Sequence, residues 1–100
     1  MVSVVITLVA RPGFEEKVIQ LLVSILEIAR TQSGLLQYNI HREVEQKDTF
    51  VIYESWAAMA DFERHATTPD VEALALRVRP CLRTAMRARI LEEIAFSGKP

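Results

Sequence analysis

The sequence predicts a single α+β domain, one four-stranded antiparallel sheet carrying its helices on one face. Three observations lead there. The hydrophobic period alternates between two and 3.6 in the order β-α-β-β-α-β. Half of the 100 residues are apolar and a quarter are charged, with three Gly and four Pro, an ordinary globular composition. A chain of this length closes one core without metal or disulfide staples. A lone Cys81 also excludes an internal disulfide, so the secreted, stapled scaffolds are set aside and a reducing compartment is expected.

Each element has its own local reason. Val2 to Ala10 is rich in Val, Ile, Leu and Thr and reads as a strand, ended by the turn Arg11-Pro12-Gly13. Phe14, Val18, Leu21, Leu22, Ile25 and Ala29 then form one helical stripe, with Glu15 and Glu16 in the first turn, where the helix dipole favours negative charge. Ser33-Gly34 closes that helix. Leu35 to Val44 and Thr49 to Trp56 read as a hairpin around the polar turn Glu45-Gln46-Lys47-Asp48. Ala57 to Ala66 is a short helix whose Met59, Phe62 and Ala66 share a face. Thr68-Pro69-Asp70 opens another, with a capping hydroxyl, Pro at the first position and an acid next. That helix carries Val71, Leu74, Ala75 and Val78 on one side and ends near Pro80. Arg87 to Phe96 reads as the last strand, although Arg83 to Glu93 also fits a helical period.

This order, with the second helix broken in two, is that of a ferredoxin-like sandwich. The first strand is apolar on both sides: Val2, Val4, Ile6 and Leu8 on one, Val5 and Val9 beside Ser3 and Thr7 on the other. A wet face carries more polar residues than that. The uncovered face therefore calls for a partner, and a second copy of the chain is the simplest one. The expectation is a homodimer packed sheet to sheet, a dimeric α+β barrel with residues 1–100 as one domain.

Several functions are excluded or disfavoured. No apolar run reaches the roughly 18 residues of a membrane span, and the N-terminus lacks the order of a signal peptide, so a cytoplasmic protein without membrane contact is expected. The net charge of −1 gives no general attraction to nucleic acid. Arg77, Arg79, Arg83, Arg87 and Arg89 place five Arg in thirteen residues without an acid, but no stacking aromatics interleave them. They form a solvated flank, a set of dimer ion pairs, or an anchor for an anionic substrate. Two His and one Cys give no metal-ligand spacing, and there is no Gly-x-Ser-x-Gly or Gly-rich phosphate loop.

The residues able to carry chemistry lie in the middle of the chain. Glu54 and Trp56 are two apart on a strand, so both leave the same face. A carboxylate among Val51, Ile52, Tyr53 and Trp56 is either held by a structural partner or raised in pKa for proton transfer. Trp56 either plugs the core or offers a flat wall to a planar ligand. His65, at the edge of its helix stripe, either faces solvent near the helix C-terminus or serves as a base at a cleft mouth. Asn39 and His41 share one strand face with Gln37, and Leu36, Tyr38 and Ile40 share the other. A four-residue hairpin turn sets Asn39 across from Glu54; a five-residue turn sets Tyr38 there instead.

Gly34-Leu35-Leu36-Gln37-Tyr38-Asn39-Ile40-His41, Tyr53-Glu54-Ser55-Trp56 and Phe62-Glu63-Arg64-His65 resemble the antibiotic biosynthesis monooxygenase family of small dimeric α+β barrels. The likeness consists of the element order, the Gly-x-x-x-Tyr strand opening, the Glu-x-Trp strand end, and His65 nine residues beyond Trp56. The family includes quinol and polyketide monooxygenases that use no cofactor, haem-degrading oxygenases, and an isomerase of a phosphorylated signalling sugar. The resemblance implies that Trp56 lines a cleft between sheet and helices. In the polyketide oxygenases an Asn four residues before that Trp and a Tyr six after it join the site; here those positions are Ile52 and Phe62. The haem-degrading branch is set aside, because the first strand has no Asn and Asp70 to Arg79 contains no His.

The functional expectation is a cofactor-independent monooxygenase of a small aromatic, quinol-like compound. Glu54 or His65 is its base, Trp56, Phe62 and Met59 are its walls, and Tyr38, or Asn39 with His41, makes further substrate contacts. No cofactor and no metal are implied. Two alternatives accompany it: an isomerase of a phosphorylated sugar anchored by the Arg cluster, and a non-catalytic dimeric ligand-binding or stress-response module.

Overall fold

The computed structural model describes residues 1–98, and the elements follow the expected order. Strand β1 is Val2–Val9, helix α1 Glu15–Ala29, β2 Leu35–Arg42, β3 Thr49–Trp56, α2 Met59–Ala66, α3 Pro69–Val78 and β4 Arg87–Glu92. The strands form one antiparallel sheet in the order β2-β3-β1-β4. All three helices cover one face, as a ferredoxin-like sandwich requires.

The core lies between that face and the helices. Val4, Leu8, Phe50, Ile52 and Trp56 project from the sheet into it and are buried. Helix α1 answers with Val18, Leu21, Leu22, Ile25 and Ala29, the stripe read from the sequence. Phe14 does not join them: it is the residue that caps α1, with non-helical φ −104, and it is exposed. Gly34 ends the connection to β2 at φ 89, where an L side chain is strained, and its Cα lies too near the Asp61 side chain to accept a Cβ.

The last strand resolves the ambiguity over Arg83 to Glu93. Six successive residues of β4 pair with β1, from Arg87 opposite Thr7 to Glu92 opposite Val2, because the free edge of β1 offers a ladder that an isolated amphipathic turn cannot match. Two local expectations are corrected. A bulge between Leu35 and Gln37 turns Leu36 outward, away from the face of Tyr38, and leaves it 57% exposed. Thr68 precedes α3 as expected, but its hydroxyl makes no cap hydrogen bond and is used elsewhere. Among the described residues, no helix is long and apolar enough to cross a membrane.

Candidate active site

The hairpin fixes which side chains meet. The Glu43 amide donates to the Thr49 carbonyl (3.0 Å) and closes a five-residue turn, so Tyr38 stands opposite Glu54 and Asn39 opposite Tyr53. Pleating then sends Tyr38, Ile40, Ile52, Glu54 and Trp56 toward the helices. Asn39 and His41 go to the other face, so neither contacts the Glu54 side of the sheet. The Asn39 amide oxygen accepts from Gln37, and Nδ1 of His41 lies 3.2 Å from the Val51 carbonyl. Their assignment as substrate contacts is thereby corrected.

Between the inner face and the helices is a cavity of about 160 Å³. Its walls are almost wholly apolar: Ile6, Leu8 and Ile52 from the sheet, Leu22 and Ile25 from α1, and Val71, Ala75 and Val78 from α3. Phe62 and Ala66 of α2 close one side, and Met86, from the loop before β4, closes another. Among the described residues, only Tyr38, Glu54 and His65 bring titratable groups to this lining.

Glu54 is 1% exposed. One carboxyl oxygen accepts the Trp56 indole N–H at 2.8 Å. No buried side-chain oxygen or nitrogen among the described residues lacks a partner, so its second, unbonded oxygen is open to the cavity. Burial pushes the Glu54 carboxyl up to about 7, and the Trp56 hydrogen bond pulls back only part of that rise. At neutral pH the group is divided between acid and carboxylate.

His65 is buried rather than solvent-facing. Its ring lies on the Trp56 indole, with centroids 4.8 Å apart and planes 32° from parallel, and meets the Tyr38 ring edge-on at 6.0 Å. Burial lowers its pKa, so the imidazole is neutral at physiological pH. Tyr38 is raised by its own burial and then by the nearby Glu54 charge, and stays a phenol that can donate.

The remaining assignments divide. Phe62 is a wall, as expected. Trp56 is fully buried behind the cavity and does not line it; it orients Glu54 and backs His65. Met59 opens α2, is 41% exposed and lies off the cavity. The five Arg do not converge on it either: Arg87 and Arg89 stand opposite Thr7 and Val5 on the outer face, and Arg83 pairs with Asp48 at 3.3 Å. Sequence reasoning missed Met86, which follows the α3 stripe by eight residues in a loop without periodicity. It also missed Gln32, whose amide oxygen lies 2.6 Å from His65 Nδ1.

Glu54 and the His65 imidazole thus share the lining of one apolar cavity under a ferredoxin-like sheet. The chain belongs to the antibiotic biosynthesis monooxygenase family, whose model matches residues 1–76. Solved structures share the fold. One described as an antibiotic biosynthesis monooxygenase has a TM-score of 0.88 at 19% identity, covering 95% of this chain and 100% of its own. A protein from Pseudomonas aeruginosa has a TM-score of 0.85 at 24% identity, covering 94% of each chain. A variant of SnoaB, a cofactor-independent oxygenase from Streptomyces nogalater, has a TM-score of 0.88 at 14% identity, covering 98% of this chain and 97% of its own. No curated protein matches the sequence.

Proposed function

We propose that this protein is a cofactor-independent monooxygenase of a single-ring, quinol-like compound. The observation that carries the reading is the cavity itself. Its volume, about 160 Å³, is that of an apolar cavity known to take one benzene-sized ring, and two proton-transfer groups, Glu54 and His65, are on its lining. SnoaB, described as a cofactor-independent oxygenase, supports the same class of chemistry on this fold.

Such a substrate supplies both electrons itself, so the protein has only to move protons, exclude water and hold the ring. His65 takes a hydroxyl proton from the quinol. The anion passes one electron to dioxygen, and the semiquinone and superoxide join through a new C–O bond. His65 returns its proton to the peroxide so formed. The Glu54 carboxylate then takes the hydrogen on the oxygenated carbon as a proton. The C–H electron pair becomes a C=O bond, the O–O bond breaks, and hydroxide leaves with that proton as water. Quinol and dioxygen thus give a hydroxyquinone and one water. The Tyr38 phenol donates a hydrogen bond to substrate oxygen throughout.

The outer sheet face bears on assembly. Val5, Thr7 and Val51 are half-buried there, while Leu36 and Leu91 are 57% and 42% exposed. A second copy packed on this face would cover them, and the homodimer is part of the same reading.

Oxygen uptake with benzene-1,4-diol and its hydroxylated and methylated relatives tests the function. Uptake by the wild type should fall roughly 10²- to 10⁴-fold in Glu54→Gln and in His65→Ala. No uptake, or uptake indifferent to both changes, overturns it; saturable binding without uptake would mark a ligand-binding module.

A further inference from the structure

His65 has two ring nitrogens, and only one neutral form leaves a lone pair on the cavity side. The geometry points to Gln32 and Thr68 as positioning residues that hold His65 in that form. The inference rests on His65 acting as the base, and it adds two residues outside the cavity to the site.

One group in the chain of contacts cannot change its role. The main-chain carbonyl of Arg64 can only accept. Thr68 Oγ1 lies 2.8 Å from it and therefore donates. Having given its proton there, the hydroxyl must accept from its other neighbour, the Gln32 amide nitrogen, at 2.8 Å. That contact orients the amide, so its oxygen is the end that meets His65 Nδ1 at 2.6 Å. An amide oxygen also only accepts, so Nδ1 carries the hydrogen. The neutral ring then has its lone pair on Nε2.

Nε2 makes no hydrogen bond among the described residues, yet it is not a sealed, unsatisfied atom, so it opens on the cavity that His65 lines. The other titratable groups around the ring leave this relay alone. Glu54 is bound to Trp56, Tyr38 meets the imidazole through its ring edge, and Arg64 is tied to Asp61 at 3.1 Å. The relay also explains why the Thr68 hydroxyl does not cap α3. It joins three segments: the loop after α1, the end of α2 and the residue that precedes α3.

Long-range ¹H–¹⁵N correlation spectra of the intact protein read the His65 form directly, without turnover. Above its pKa, wild-type His65 should carry its proton on Nδ1. Gln32→Leu should move the population toward the Nε2–H form that free imidazole favours, and Thr68→Val should do so in part, with Thr68→Ser restoring the wild-type spectrum. Gln32→Glu should keep Nδ1–H and raise the His65 pKa by about one to two units, shifting the acid limb of any pH–rate profile upward by the same amount. A wild-type proton on Nε2, or a Gln32→Leu spectrum unchanged from wild type, overturns the inference. An enzyme without oxygen uptake but with these spectra would strike the oxygenase reading and leave the relay standing.

Discussion

The two faces of the sheet carry the same residue types and treat them in opposite ways. Tyr38 and Tyr53 stand on neighbouring strands. Tyr38 faces the helices, where burial and then the Glu54 charge raise its pKa. Tyr53 faces outward, where hydrogen bonds from Ser3 (3.2 Å) and Ser55 (3.2 Å) stabilise its anion and lower it. The histidines divide likewise: His65 is buried against Trp56 and Tyr38, and His41 is exposed beside a carbonyl. The same side chain titrates differently on the two faces, as Tyr38 and Tyr53 show. The inner face surrounds its few polar groups with apolar side chains, so burial shifts the titration of Tyr38, Glu54 and His65.

The largest effect that sharpens this contrast is at Glu54. Its pKa rises from the ordinary 4.5 to about 7 on folding. A carboxyl raised in this way contributes fully below pH 4.5, and its contribution is lost as pH climbs through 7. With each unit worth ~1.4 kcal/mol, the native state gives up roughly 3 kcal/mol by pH 8. Glu54→Gln keeps an acceptor for Trp56 and removes the charge. Urea unfolding should therefore find it more stable than wild type by about 2–3 kcal/mol at pH 8 and equal at pH 4. Equal stability at both pH values would mean that Glu54 is solvated like an outer-face acid.

A smaller effect probes the other face. If a second copy covers Val5, Val51 and Leu91, stability depends on protein concentration, and each tenfold dilution should lower the unfolding free energy per dimer by ~1.4 kcal/mol. Leu91→Lys should abolish that dependence and leave the Glu54 titration unmoved. A melting temperature independent of concentration in the wild type would remove the dimer from the account.

Much of the fold was legible because periodicity reports it. The stripe Val18, Leu21, Leu22, Ile25 and Ala29 is set by 3.6-residue spacing, and the doubly apolar β1 by strand alternation. The hairpin register was not, since its turn fits the pattern at either of two lengths and one residue of slip exchanges Tyr38 for Asn39. That slip decides the site. Glu54, His65 and Phe62 could be named from the strand and helix they occupy. Gln32 could not, because a residue in the loop after α1 meets His65 only through the fold, 33 positions away. Trp56 shows the complementary limit: its face was legible, but not that it would lie behind the cavity, holding Glu54 rather than the ligand.

The central claim is that a single ring binds on the inner face beside Glu54 and His65. Methyl-labelled protein titrated anaerobically with benzene-1,4-diol tests it most directly. The account predicts saturable shifts at Ile52, Val71, Val78 and Met86, together with the His65 ring, and none at Val5 or Val51. Shifts confined to the outer face, or none anywhere, would contradict it.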